Sequence, residues 1–253
     1  MNDPTQRLAK RLATELGCSR RDAELYIAGG WVRVDGALVE EPMARVHAAQ
    51  AVALDAKARC EPLPPVTVVW HKPAGEALPD VPLLPDDLAA AWFDAGRRSP
   101  ADRSGVRGLK VHRHRLFALA PLDAQASGLQ AFTQNPGVQR RVDDRATPLE
   151  HEWLVQVQDD AALDAPERRA AVLQSLTQPL FFEGQRLPDA RASWQSERRL
   201  RLAIKGSLPG QVAFLAERAG LQLAALRRQR LGRIGLDGLQ AGQWRYLGAL
   251  ERF

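Results

Sequence analysis

Leu116-Phe117-Ala118-Leu119-Ala120-Pro121-Leu122-Asp123-Ala124-Gln125-Ala126-Ser127-Gly128-Leu129 is the stretch on which the fold turns. Its flanks read as strands over 116–119 and 129–133, rich in apolar residues and free of helix signals. Between them Asp123 is the lone charge. An isolated Asp between two strands is most often a turn residue that bonds its own backbone.

Outward from this stretch the pattern mixes strands and helices. Upstream come a strand over 66–69 with Trp70, a loop at Lys72-Pro73-Ala74-Gly75 and a helix around 86–93. A basic stretch over 97–115 holds seven Lys or Arg and one acid. Downstream, a strand over 153–157 opens further strands and helices to the C-terminus. The segment Glu61-Pro62-Leu63-Pro64-Pro65 is a stiff, extended break, since each Pro fixes φ and disfavours helix before it. Residues 59–65 therefore read as a linker, with a large domain over 66–253 behind it.

Residues 5–58 read as a compact unit of their own. Thr5 is expected to cap a first helix with Leu8, Leu12, Ala13 and Leu16 on one face, and Gly17 to end it. Ser19 caps a second helix, with Asp22 completing a capping box. Ala23, Tyr26 and Ile27 form its apolar face, and Gly29-Gly30 stop it. Trp31-Val32-Arg33-Val34, a turn at Asp35-Gly36 and Ala37-Leu38-Val39 read as a hairpin. Val52 and Leu54 mark a last strand. No repeat is visible along the chain.

The chain has 253 residues, 45% hydrophobic and 26% charged, which is ordinary for a globular protein and excludes disordered and collagen-like classes. No apolar run reaches the roughly 18–20 residues of a membrane span, and Met1-Asn2-Asp3-Pro4 does not open a secretory leader. Cys18 and Cys60 are too few for a disulfide framework or a zinc site. A cytoplasmic protein with no metal and no membrane partner is expected. Lys and Arg number 35 against 30 Asp and Glu, a formal charge of +5, and only five of the 35 are lysines. Residues 191–253 carry twelve basic and four acidic side chains, against fourteen and eighteen over 61–190. A localised guanidinium surface suits a phosphate polyanion; a codon bias that replaces Lys with Arg accounts for the composition equally well.

Arg7, Lys10 and Arg11 recur at helical spacing, and Ser19-Arg20-Arg21 sets two guanidiniums at a helix N-terminus, where phosphate binds well. By themselves such clusters are usually solvated helix faces. In order, however, Arg7-Leu8, Gly17-Cys18-Ser19-Arg20-Arg21-Asp22-Ala23, Ile27-Ala28-Gly29-Gly30 and Val32-Arg33-Val34-Asp35-Gly36 resemble the S-four RNA-binding domain. That resemblance implies RNA contacts by Arg7, Lys10, Arg11, Ser19, Arg20, Arg21 and Arg33.

The remainder resembles the bacterial ribosomal-RNA pseudouridine synthases that carry such a domain. Val68-Val69-Trp70-His71-Lys72-Pro73-Ala74-Gly75 is similar to their early strand ending in Lys-Pro-x-Gly. Leu122-Asp123 with Ser127-Gly128-Leu129 is similar to their Gly-Arg-Leu-Asp-x-x-Thr-Ser-Gly-Leu motif. Leu226-Arg227-Arg228-Gln229-Arg230-Leu231-Gly232, Leu236-Asp237 and Gly242-Gln243-Trp244-Arg245 resemble their closing strand and tail. The resemblance implies an α+β protein whose larger domain is built on a mixed, mainly antiparallel sheet with flanking helices. It implies isomerisation of uridine in structured RNA, above all ribosomal RNA, by a monomer without metal or cofactor. The target nucleotide would be flipped from its stack, with Asp123 as the essential carboxylate. Lys72, Trp153, Gln211, Arg228 and Arg230 would line the cleft, and Arg113 and Arg115 would meet RNA.

Four departures surround Asp123. Ala120 and Pro121 stand where the motif has Gly and Arg, and Ala126 stands for its Thr. The aromatic expected against the base, a Tyr in the family, is Trp153 in His151-Glu152-Trp153-Leu154-Val155. The arginine that pairs with the Asp comes from Gln-Val-Arg-Arg-Met, whereas this chain reads Gln211-Val212-Ala213-Phe214-Leu215, with one extra residue in Lys205-Gly206-Ser207-Leu208-Pro209-Gly210. Without a cation the charged form of a sheltered Asp is penalised, and Arg227, Arg228 and Arg230, whose alternate members point to opposite faces of a strand, are the candidate substitutes. Two functions stay open: a pseudouridine synthase, or a catalytically inactive RNA-binding protein of that descent acting in ribosome assembly. His112-Arg113-His114, read as a strand, offers a two-histidine metal pair without a third ligand; phosphate contact is the favoured reading there.

Overall fold

The computed structural model describes residues 5–178, 181–182, 184–186 and 190–253. Its contacts divide the chain into two units, one running to Pro65 and including Arg107–His114, the other made of Val66–Val106 and Arg115–Phe253. No helix among the described residues is long and apolar enough to cross a membrane.

In the first unit Thr5 caps nothing. Strand β1 (Thr5–Arg7) pairs antiparallel with β4 (Arg45–His47), and helix α1 (Leu8–Leu16) starts behind Arg7 without a side-chain cap. The pairing partner lies forty residues on in sequence, beyond the reach of local pattern. Leu8 and Leu12 are buried, but Leu16, in the last turn, is 42% exposed. Gly17 ends α1 in the left-handed conformation. Helix α2 (Arg20–Ala28) begins with the reciprocal Ser19–Asp22 capping box. Strands β2 (Val32–Val34), β3 (Ala37–Val39) and β5 (Val52–Leu54) form an antiparallel sheet in the order β3-β2-β5. The turn residues Asp35 and Gly36 both have positive φ, which suits the twist of a tight hairpin. Leu8, Leu12, Ala23, Ile27, Val32, Val34 and Val46 close the core.

Lys110–Arg113 is a 3-10 turn, not a strand. His112 is buried and His114 exposed, so the alternation that would place two histidines on one face does not exist. Among the described residues no cluster of three His, Cys, Asp or Glu could hold a metal. Within this unit the Arg107 guanidinium lies 4.2 Å over the Trp31 ring and donates to the Gly30 carbonyl.

The second unit is organised by a sheet of ten strands among the described residues. Its main path joins β13 (Arg191–Ser196), β14 (Arg199–Lys205), β10 (Glu150–Val157), β15 (Leu223–Leu231), β9 (Ser127–Thr133), β6 (Thr67–Lys72) and β17 (Trp244–Tyr246) in that spatial order. Strand β8 (Leu116–Leu119) also pairs with β9, and β7 (Leu83–Leu84) with β8; β16 (Ile234–Gly235) folds back on β15. A separate short hairpin joins β11 (Phe181–Phe182) to β12 (Gln185–Arg186). All named ladders are antiparallel except β9 with β15.

Strand β10 shows how the sheet sorts its residues. His151, Trp153, Val155 and Val157 are buried and the residues between them are half-buried, the period of two that puts alternate side chains on opposite faces. On its buried face lie helices α5 (Pro166–Thr177) and α6 (Gln211–Arg218), whose Val172, Leu176, Val212 and Leu215 close one core with Trp153, Leu200 and Leu202. Helix α3 (Asp86–Trp92) helps close a second, aromatic core in which Trp70 stacks on Trp92 at 4.5 Å. Helix α4 (Pro136–Val142) follows β9, capped by Asn135.

Candidate active site

The connection from β8 to β9 carries Asp123 to the parallel junction between β9 and β15. There Arg227 faces Ser127 and Arg228 faces Gly128. Leu122 and Ala126, on either side of the Asp, are buried in the core beneath α5 and α6. Asp123 is only half-buried. Two apolar anchors thus press the loop onto the protein and leave the carboxylate between them at the surface.

Main-chain groups and two buried cations hold this loop. The Gly210 N–H donates to Asp123 Oδ2 at 2.7 Å, just before the first turn of α6. Lys72, fully buried, donates to the carbonyls of Ala124 at 2.9 Å, Ala126 at 2.7 Å and Pro73 at 3.1 Å. Arg228, also buried, donates to the carbonyls of Ala120 at 2.7 Å and Leu129 at 2.8 Å. Neither cation spends a hydrogen bond on the carboxylate. Both nevertheless feel it: burial pushes Lys72 down to about 8 and Arg228 down to about 9, and the Asp123 charge opposes each shift. Among the described residues no Lys or Arg lies within 4.0 Å of the Asp123 oxygens.

Trp153 is 4% exposed, and the Arg228 guanidinium lies 5.7 Å from its ring centre. Its indole N–H donates to Ser207 Oγ at 3.3 Å, and the same hydroxyl shares a 2.6 Å hydrogen bond with His151 Nδ1. Burial, aided by the Arg228 charge, pushes His151 down to about 3, so the ring is neutral. Gln211 is buried at the start of α6; its Oε1 accepts from the Leu208 N–H at 2.9 Å.

Arg230 does not join them. On a regular strand it would share a face with Arg228, two residues away. A bulge intervenes: Glu152 pairs with Arg230 and Trp153 with Arg228, so Gln229 is the extra residue. Glu152 and Trp153 point to opposite faces, and the two arginines follow them. Arg230 binds Glu150 at 2.6 Å and Glu152 at 2.9 Å on the side away from Trp153. Hydrogen bonds from Arg201 and Arg230 hold the Glu152 carboxyl down to about 2.

Gln130 is the buried residue that sequence reading missed. Its Oε1 accepts from the Leu122 N–H at 3.0 Å and its Nε2 donates to the Leu119 and Ala131 carbonyls at 2.9 Å. It ties β8 to the loop one residue before Asp123. A Gln inside an otherwise apolar strand, 129–133, was the signal available.

The basic candidates elsewhere are scattered in their partners. Arg7, Lys10, Arg20, Arg21, Arg33 and Arg115 are exposed, and Arg113 is half-buried. Arg11 is committed to Glu15 and to the His47 carbonyl, Arg20 to Glu24, and Arg33 to the Gly36 carbonyl. Ser19 serves as the α2 cap.

No family model matches the chain, but individual proteins do. It is 25% identical over 242 residues to the putative ribosomal large subunit pseudouridine synthase of Arabidopsis thaliana chloroplasts, covering 90% of this chain and 54% of that protein. Ribosomal large subunit pseudouridine synthase B of Xanthomonas axonopodis is 26% identical, with 91% of this chain and 40% of that protein covered. The chain therefore spans about half the length of these two relatives. Ribosomal small subunit pseudouridine synthase A of Escherichia coli is 26% identical over 253 residues, with 95% of this chain and 96% of that protein covered. A crystal structure of pseudouridylate synthase superposes with a TM-score of 0.54 at 18% identity, covering 95% of both chains. The mixed, mainly antiparallel sheet and its flanking helices are thus the fold of a pseudouridylate synthase, and in sequence the chain is similar to ribosomal large and small subunit pseudouridine synthases.

Proposed function

We propose that this protein isomerises uridine to pseudouridine at a specific site in ribosomal RNA, with Asp123 as the essential carboxylate. The N-glycosidic bond of the target breaks, the base turns, and the sugar carbon bonds carbon five, which gives up its proton while N1 takes one, so the product is an isomer of the substrate. The carboxylate either adds to the sugar or stabilises its reacting form, and it must stay charged and oriented while the base moves. The arrangement around Asp123 carries this reading. A half-buried carboxylate is fixed by one main-chain donor, on a loop pinned through its carbonyls by two buried cations. Fixed dipoles and charges in a sheltered site stabilise a developing charge without reorganising.

On this reading residues 5–58, within the first unit, form an S-four-type domain that holds structured RNA, with residues 59–65 as linker and 66–253 as the catalytic domain, although Arg107–His114 of that stretch packs within the first unit. Arg7, Lys10, Arg11, Arg20, Arg21 and Arg33 supply phosphate contacts there, and Arg113 and Arg115 add to them. Trp153 is too buried to lie open under a base; its place is to support the loop and Arg228.

The second reading is an inactive RNA-binding relative, favoured by one observation: among the described residues no guanidinium comes within 4.0 Å of the Asp123 oxygens. Mapping pseudouridines in ribosomal RNA from cells with and without the protein separates the two. Loss of modification at one uridine, restored by the wild-type protein, supports the enzyme. An identical map in both strains, with the protein still bound to ribosomal RNA, supports the inactive relative.

A further inference from the structure

Two departures from the family pattern sit within a few residues of each other: Ala213 in place of an arginine, and one extra residue in the 205–210 segment. The geometry joins them. Gly210, the last residue of the lengthened segment, has φ 74° and ψ −19°, a left-handed conformation that L side chains rarely adopt. In that conformation its carbonyl accepts the first bond of α6, from Phe214 at 3.0 Å, while its N–H turns to Asp123 Oδ2 at 2.7 Å. The segment is anchored on both sides of the turn. Ser207 is held by His151 and Trp153, and the Leu208 N–H is held by Gln211 Oε1.

We propose that Gly210 is the positioning residue for Asp123: its main-chain N–H, delivered by the lengthened 205–210 segment, takes the place of the missing guanidinium. The inference rests on Asp123 being the reacting carboxylate. A single neutral donor fixes one oxygen of the carboxylate. It leaves Oδ1 without a hydrogen bond among the described residues. The partial positive charge at the start of α6 acts in the same direction, and Arg228 supplies a full charge at longer range. The extra residue and the lost arginine are then one change rather than two.

Amide hydrogen exchange on the full-length protein tests this without any need for activity. Gly210 is expected to exchange slowly in the wild type and roughly tenfold or more faster in Asp123→Ala, as befits the loss of a bond to a charged acceptor, with the Phe214 amide unchanged. Equal Gly210 rates in the two proteins overturn the proposal. In pseudouridine formation, Gly210→Ala is expected to lower kcat roughly tenfold to a hundredfold at unchanged KM. Adding Ala213→Arg, which restores the family's cation, is expected to recover most of that loss. Wild-type kcat in Gly210→Ala contradicts the proposal. Should the wild type form no pseudouridine, the enzymatic reading falls, and the exchange comparison still decides the role of Gly210.

Discussion

Gly128 and Arg228 meet backbone to backbone: a Cβ on Gly128 would stand 2.3 Å from the Arg228 carbonyl oxygen and 2.7 Å from its nitrogen. Gly128 also has φ 106°, where a side chain is strained whatever the space. This contact seats β9 beside β15 and brings Asp123 and Arg228 into one site. Gly128→Ala combines a backbone cost of about 1–2 kcal/mol with overpacking of about 1–3 kcal/mol. A loss of about 3 kcal/mol in urea unfolding is expected; a loss below about 1 kcal/mol would show that the junction yields.

Arg228 and Arg230 are expected to behave as strangers despite their spacing. Arg228→Met leaves the Ala120 and Leu129 carbonyls unpaired in the interior and should cost about 3 kcal/mol or more. Arg230→Ala removes partly exposed ion pairs to Glu150 and Glu152, worth about 1 kcal/mol or less, and should leave catalysis alone. Chemical denaturation and turnover of the two variants check this. Equal damage from both would contradict the bulge at Gln229.

That bulge marks a limit of what sequence alone discloses. Local signals sufficed for the Ser19–Asp22 capping box, the Asp35-Gly36 turn and the strands flanking Asp123, because each is set by residues a few positions apart. The β1–β4 pairing is long-range, so Thr5 reads as a helix cap when it is a strand residue. A one-residue bulge reverses the face of everything beyond it, yet leaves no mark in the letters Arg228-Gln229-Arg230. The Gly210 donor is a main-chain group, invisible to any search for a replacement arginine. The place of Asp123 between two strands is legible; the main-chain donor that meets its carboxylate is not.

His151 sets the acid side of stability. Its ring takes up a proton near pH 6.5 in the unfolded chain but only near 3 in the folded one. The unfolded state therefore binds more protons between these values, and stability is lost as pH falls through that window. The expected slope is about 1.4 kcal/mol per pH unit for one proton. Between pH 6.5 and about 5.5, above the range in which unfolded carboxylates take up protons, His151→Asn should flatten the dependence. An unchanged slope would mean that the ring charges within the folded protein.

RNA binding by the first unit is expected to be electrostatic. Reversing Arg20 and Arg21 to Glu should weaken binding to ribosomal RNA and reduce the slope of log affinity against log salt, since fewer counterions are released. A salt series on the full chain measures it. Unaltered affinity and slope would remove these arginines from the interface.

Purified protein with unmodified ribosomal RNA shows whether Asp123 is the reacting carboxylate. Asp123→Asn keeps the shape of the side chain and an oxygen for the Gly210 N–H while removing the charge. The wild type is predicted to form pseudouridine at a single uridine. Asp123→Asn should bind the same RNA, unfold at the same temperature and form none. Pseudouridine formation by Asp123→Asn at the wild-type rate, or none by the wild type, would take that role from Asp123.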